Sequence, residues 1–433
     1  MRTIVKRILS IACVCAIIVL IWIGLRYLIV DDTESYTRVM MHEFYDQDNI
    51  DVVFCGASLC YRTFDTEILD SELGVNTFNT GSSSQTIDVT YYLLKECLDK
   101  NKVDHVFVEL SPTMASVYND ESRKPSDMTS VYLISDYMKP SSRKAQLLIK
   151  ASEPDQYCNS FFVARRNWEK IYDTEYVGTL LDKKSSDIYS DYMYDYLKHD
   201  AEWYKGKGYV ESSIRVAEGT FNDSYPTYNI ELENIKESWF DYVYKIIELC
   251  ANRNVELTLV CAPLSDYLVA CYGESYDRYH DRISSIAEQA GIEFWDFTLV
   301  KEDYFPTDAI NYMDSAHLNM YGAQIFSKLI SRIINGELSY DDICYQSAGE
   351  RISNGALRVL GLASDGINKR IITTMDNSTL VFNISVTTSE GNEYIIQDFS
   401  SNKDFCVNEG ENGTIHIRTL DENQNENVYD YSF

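Results

Sequence analysis

With 433 residues, 45% hydrophobic and 24% charged, the chain has the length and composition for one large domain or two ordinary ones, each with a true core. Lys and Arg total 38 against 67 Asp and Glu, a formal charge of −29; beyond residue 30 the balance is 34 basic to 67 acidic residues, or −33. A field of that sign repels nucleic acid, which excludes it as a partner, while keeping a secreted or surface domain soluble.

Residues 1–7 form a basic end with three positive charges, and residues 8–30 are apolar but for Ser10 and Arg26. That is long enough for a helix of ~20 residues to cross a membrane, with Arg26 snorkelling at the far interface beside Trp22 and Tyr27. The run exceeds the ~7–15 residues of a signal-peptide core, and no Ala-x-Ala site follows it. Basic residues before the span and Asp31, Asp32 and Glu34 after it predict a single-pass cell-membrane anchor, N-terminus cytoplasmic and bulk extracytoplasmic. Residues 31–48 read as an acidic stalk.

Strand and helix patterns then alternate. Residues 51–55 (DVVFC) read as a buried strand, 66–73 as a helix closed by Gly74, and 75–79 (VNTFN) as a second strand. A helix over 85–100 and a third strand over 104–110 follow, the strand stopped by Ser111-Pro112. Residues 113–229, rich in Tyr, Ser and Asp, form an insertion with no clear period. A stretch that long leaving the end of a strand is expected to form the rim or lid of a site. The alternation resumes with a helix over 231–252, a strand over 255–262, a helix over 275–290, a strand over 292–297 and a closing helix over 320–334. This predicts an α/β domain over 49–336 whose parallel sheet is covered on both faces in a flavodoxin-like order, with ligands beyond the carboxyl ends of the strands. From 337 to 433 short strands alternate with turns, as in a small all-β, sandwich-like domain.

Three loops at those strand ends carry candidate chemistry. Phe54-Cys55-Gly56-Ala57-Ser58 places a serine just past the first strand and ahead of a helix, where its Oγ reaches solvent; the same serine would also serve as a helix cap. Asn79-Thr80-Gly81-Ser82-Ser83-Ser84 follows the second strand and lets backbone approach a substrate. Asp314-Ser315-Ala316-His317 precedes the last helix; Asp314 is placed to accept from one ring nitrogen of His317 and leave the other as a base.

Together these motifs resemble those of the SGNH (GDSL-like) hydrolases, over about residues 50–335. The resemblance implies a flavodoxin-like SGNH fold and a serine acyltransferase or esterase. Ser58 would be the nucleophile, His317 the general base and acid, Asp314 the orienting carboxylate, and the N–H groups of Ser58 and Gly81 the oxyanion hole. The anchor and the DSAHLNMYG motif look most like the membrane-anchored branch that includes the D-alanyl transfer protein of teichoic acid synthesis and the alginate O-acetylation proteins. That likeness implies a cell-envelope glycan acceptor and a membrane-bound O-acyltransferase as partner. The family's Gly-x-Asn-Asp after the third strand is missing: Glu109-Leu110-Ser111-Pro112 stands there, so the third oxyanion donor falls to Ser111 or Thr113. A second class of function also fits, a non-catalytic SGNH-fold binding or scaffold protein in envelope assembly.

Arg165-Arg166 and Arg143-Lys144 are basic spots in an acidic domain, and Arg165 and Arg166 are candidates for holding an anionic acceptor. His105 and His280 lie within a strand and a helix and read as structural. No cofactor or metal is expected, since the eleven cysteines show no Cys-x-x-Cys pair and no zinc-like spacing. Cys55, Cys97, Cys250 and Cys261 fall in apolar patterns suited to buried free thiols.

Overall fold

The computed structural model describes residues 2–110, 112–118, 123, 125–193, 201–216, 221–224, 234–307, 309–354, 358–374 and 379–433. The N-terminal apolar run is a single helix, α1 (Arg2–Ile29), of which Ile4–Ile29 is long and apolar enough to span a membrane. The expected stalk is instead a second helix, α2 (Tyr36–Asp46), whose Met40, Met41 and Phe44 are buried in the main core. Short spacing between those three apolar residues gives the helix one buried face, so α1 joins a packed element and not a loose tether.

Five short strands make the central sheet: β1 (Val52–Cys55), β2 (Thr77–Asn79), β3 (His105–Glu109), and, beyond the insertion, β7 (Glu256–Cys261) and β8 (Glu293–Asp296). All neighbours are parallel, in the order β2-β1-β3-β7-β8, the 2-1-3-4-5 arrangement of flavodoxin-like folds. The strands are rich in Val, Phe and Leu because helices cover both faces and no side of the sheet meets water. Phe54 stacks between Phe64 and Phe107 at 4.5 and 4.9 Å. On one face lie α3 (Ser58–Thr63) and α4 (Thr66–Leu73), both packed on the Met320–Ile334 helix, with Phe326 against Phe64, Phe297 and Phe305. On the other, α5 (Ile87–Lys100) packs against the Glu237–Arg253 helix, with Tyr91 on Tyr242. The expected start of the latter helix at Glu231 lies outside the described residues.

The insertion does not form one lid. Its first part, including the Ser142–Ala151 and Thr174–Lys184 helices, packs on α5 and on the end of α1. Its second part holds a hairpin, β4 (Glu202–Gly206) and β5 (Tyr209–Ser212), set against α3, and a further strand, β6 (Phe221–Ser224).

The C-terminal region is a sandwich, but its boundary differs from the expected 337. Ile343, Cys344 and Ala348 belong to the main core, and Arg351 donates to Asp266 at 2.6 Å and to the Leu264 carbonyl at 3.0 Å, so residues up to 354 complete the α/β unit. Beyond them run β9 (Val359–Asp365), β10 (Asn368–Thr373), β11 (Val381–Thr388), β12 (Glu393–Ser400), β13 (Asp404–Cys406), β14 (Gly413–Leu420) and β15 (Glu426–Ser432). They form two four-stranded sheets, β13-β10-β9-β6 and β12-β11-β14-β15, closing over Leu362, Ile371, Phe382, Ile384 and Ile417. β6 pairs parallel with β9, so the sandwich borrows a strand from the insertion.

Candidate active site

β1 ends at Cys55 and the chain turns sharply into α3. The turn needs glycine at 56, where a Cβ would stand 2.8 Å from the Glu109 Cβ and 2.9 Å from the Cys60 Cβ. Ser58 is the first residue of α3, at the carboxyl edge of the sheet and partly exposed. Its Oγ lies 2.7 Å from Nε2 of His317.

His317 arrives from the opposite end of the domain on a tightly held loop. Asn319 caps the Met320–Ile334 helix, accepting from the Tyr321 and Gly322 N–H groups, while its amide donates to the carbonyls of Ile310 and Tyr312. Met313 N–H donates to the His317 carbonyl at 2.9 Å, and Ser265 Oγ donates to the Ser315 carbonyl. Within this loop Asp314 Oδ1 accepts from the backbone N–H of Ala316 (2.9 Å) and His317 (2.7 Å), and Oδ2 lies 2.8 Å from His317 Nδ1. Burial alone would raise the Asp314 carboxyl, but the hydrogen bond and charge of His317 with those two N–H groups hold it below the ordinary value. A carboxylate there accepts Nδ1–H, leaving Nε2 to accept from Ser58.

Asn79, fully buried, ties the second loop to the first. Its Oδ1 accepts from Gly81 N–H (2.9 Å) and Cys60 Sγ (3.3 Å), and its Nδ2 donates to the Cys60 carbonyl (2.9 Å). Gly81 packs against the serine turn, where a Cβ would meet the Ala57 carbonyl at 3.0 Å. Here the structure departs from the expected oxyanion hole: the Gly81 N–H is committed to Asn79. The Ser58 N–H stands at the head of a helix, a position with no acceptor within the helix itself.

Beneath the turn sits Glu109, the last residue of β3, 4% exposed. Burial pushes its carboxyl up to about 8, against the opposing pull of the Ala262 and Ala57 N–H groups, so it is an acid held largely neutral at pH 7. Ser111 lies outside the described residues, and the Thr113 hydroxyl is paired with that of Tyr272 at 2.8 Å.

The β4–β5 hairpin buttresses the site. Arg62 of α3 donates to Glu202 at 2.7 Å and to the carbonyls of Val210 and Glu211. The Lys207 carbonyl accepts from the Asn79 N–H at 2.8 Å, and Gly208, at φ +85°, lies so close that a Cβ would fall 1.7 Å from the Asn79 carbonyl oxygen. Sequence reasoning passed over Arg62 and Glu109 as site residues, and read Asn79 only as the head of its loop and not as the tie between the two turns. The signals were an Asn ending an apolar strand and an acid ending another.

Arg165 and Arg166 are not brought to these loops. Arg166 donates from Nη2 to both carboxylate oxygens of Asp136 (2.5 and 2.6 Å) and stacks on Tyr132, while Arg165 donates to Asn159 at 3.1 Å, beside α1. A basic pair in sequence is here a structural tie at Arg166 and a groove-lining residue beside α1 at Arg165. Arg143 pairs with Asp99 at 2.8 Å. His105 meets Thr258 at 2.9 Å, and His280 meets the buried Asp296 at 2.8 Å. Cys55, Cys97, Cys250 and Cys261 are buried free thiols.

No family model matches the chain, and no curated protein matches it in sequence. Among solved structures it is similar to a GDSL-like lipase of Bacteroides thetaiotaomicron, at 11% identity over 71% of this chain and 100% of that one, TM-score 0.33. It is similar also to a Bacteroides fragilis protein described as an acylhydrolase (10%, 69% and 94%, TM-score 0.32). A third is a Desulfitobacterium hafniense protein described as lipolytic and of the G-D-S-L family (10%, 66% and 99%, TM-score 0.31). Likenesses at those TM-scores carry no weight for mechanism; the functional reading rests on the side-chain geometry.

Proposed function

We propose that the chain is a membrane-anchored, extracytoplasmic serine acyltransferase or esterase of the SGNH type, acting on a cell-envelope polysaccharide or teichoic-acid-like polymer. One observation carries the reading: Ser58 Oγ, His317 Nε2, His317 Nδ1 and Asp314 Oδ2 form a continuous hydrogen-bonded line of 2.7 and 2.8 Å steps, built from loops 259 residues apart. In this mechanism His317 takes the Ser58 proton as Oγ attacks an ester carbonyl, and Asp314 stabilises the imidazolium. His317 then returns the proton to the leaving alcohol, and Ser58 holds the acyl group. A sugar hydroxyl or water, deprotonated by His317, attacks that ester and restores the serine. The Ser58 N–H faces the developing oxyanion.

Transfer to a glycan would call for a donor at the membrane, the role assigned to a membrane-bound O-acyltransferase, and the spanning-length α1 would hold the site near it. The non-catalytic scaffold reading draws on the committed Gly81 N–H, which removes one expected oxyanion donor. A fluorophosphonate probe separates the two. Full-length protein in membranes should be labelled, and Ser58→Ala should not. Equal labelling of both would remove Ser58 as nucleophile.

A further inference from the structure

The apolar surface of α1 continues onto the insertion. Residues from Ile4 to Ile23 on α1 are largely exposed, but its end is tucked in: Ile29, and Val30 just beyond it, are buried together with Val163 and Ala164. The Val163–Tyr172 segment thus runs beside α1, and Trp22 packs on Phe162 at 5.1 Å between ring centroids. Between them lies a groove of about 870 Å³, walled by Ile18, Trp22 and Leu25 on one side and Phe162, Trp168 and Ile171 on the other.

Three observations identify what fills it. The first is exposure: Trp168 is 57% and Tyr172 75% exposed, with Phe162 and Ile171 also open, in one short stretch. A contiguous apolar patch of that kind marks a surface that meets something other than water. The second is depth. The α1 wall runs from Ile18 to Ile29, about 16 Å at ~1.5 Å per residue, close to half of a hydrocarbon layer ~30 Å thick. The groove is therefore one leaflet tall. The third is charge. In a domain of −33, residues 157–172 hold Arg165, Arg166 and Lys170 against Glu169 alone, and Arg165 lines the groove. The segment is also fixed in height, because Arg166 grips Asp136 while Arg26 of α1 donates to the Asp136 carbonyl at 2.9 Å.

We infer that residues 157–172 are a second membrane-contacting element lying in the outer leaflet, and that the groove takes an acyl chain of a phospholipid with Arg165 beside its phosphate. The inference rests on the reading of α1 as a membrane span and is independent of the chemistry at Ser58. Chain burial against two apolar walls and a basic rim over an anionic head group supply the binding.

The test uses full-length protein in nanodiscs of phosphatidylglycerol and phosphatidylcholine, doped with a phospholipid carrying a diazirine in its acyl chain. After irradiation, mass spectrometry should find lipid adducts on α1 and on the 157–172 peptides. The double change Phe162→Ser and Trp168→Ser should reduce the latter at least fivefold, with thermal denaturation confirming that the variant is folded. As a second check that leaves Phe162 in place, brominated phosphatidylcholine should quench more fluorescence in Trp22→Phe than in Trp22→Phe/Trp168→Phe. Adducts confined to α1, or equal quenching, would overturn the lipid groove and leave the anchor standing. Adducts on neither segment would overturn both.

Discussion

Replacing Asp314 by asparagine keeps the side chain's shape and removes its charge. The Oδ1 atom already accepts the Ala316 and His317 N–H groups, so the carbonyl of the amide stays there and the NH2 takes the Oδ2 position, 2.8 Å from Nδ1 of His317. Two losses result. The imidazolium formed during attack loses a carboxylate worth ~4 kcal/mol at about 4 Å for an effective dielectric of ~20, but only ~1 kcal/mol in bulk water. The Asp314 side chain is 43% and that of His317 26% exposed, so the value falls between these limits, one to three powers of ten in rate at ~1.4 kcal/mol per decade. The NH2 group also favours the tautomer with its proton on Nε2, which cannot accept from Ser58, and this pushes the loss toward 10³ or beyond. The assay is turnover of an activated acetyl ester with the rate of fluorophosphonate labelling, against thermal denaturation as control. Because the Oδ1 contacts survive, the melting temperature should shift by only a few degrees. Asp314→Ala, which loses them, should be equally inactive and about 1 kcal/mol less stable again. Activity of Asp314→Asn within about threefold of wild type would refute the orienting role.

Further outcomes are expected. Between its ordinary value of 4.5 and about 8, Glu109 keeps a proton in the fold that the unfolded chain has released, so stability falls as pH rises through that window, by up to ~1.4 kcal/mol per unit. Glu109→Gln should flatten that slope in urea denaturation between pH 5 and 8, and an unchanged slope would mean the carboxyl is already charged. Gly208→Ala forces a Cβ into the Asn79 carbonyl at a positive φ and should cost at least ~2 kcal/mol, lowering Ser58 labelling with it; a wild-type melting temperature would place the hairpin elsewhere. Protease added to intact spheroplasts should digest residues beyond 30 and leave a membrane-bound stub; protection of the domain would reverse the proposed orientation.

Much of the α/β unit was legible because its signals are local. DVVFC, VNTFN and DHVFVEL are apolar runs that need no knowledge of their neighbours, and the helix at 66–73 announces its end with Gly74, at φ +68°. Ser58, Asp314 and His317 were legible as loop residues at strand ends, a position rule and not a contact rule. What stayed hidden depends on partners distant in sequence. Nothing near Arg166 reveals Asp136, and nothing in Thr80-Gly81 reveals that the Asn79 side chain turns back to take the Gly81 N–H. The α2 helix was masked by its acidic flanks, with only Val39, Met40, Met41 and Phe44 as apolar residues to mark a buried face. β6 is four residues in a polar stretch, and only its pairing with β9 makes it a strand.

That borrowed strand bears on how the molecule comes into being. β6 leaves the ribosome well over 100 residues before β9, a wait on the order of ten seconds at ~5–20 residues per second. Until β9 arrives, Phe221 has no neighbour at Gly361, where it and Tyr267 close on a position that leaves no space for a Cβ. The sandwich therefore acts as a clasp fastened after the α/β unit, and the rim beside the site is drawn tight only once β9 is in place: Val216, five residues before β6, donates to the Tyr312 carbonyl in the loop that carries Asp314 and His317. A chain ending at 354 should fold its central sheet yet show weaker Ser58 labelling and faster proteolysis between 201 and 224. The sandwich would then be a checkpoint on synthesis beyond β9, and a truncated chain labelled at the full rate would show that it is not.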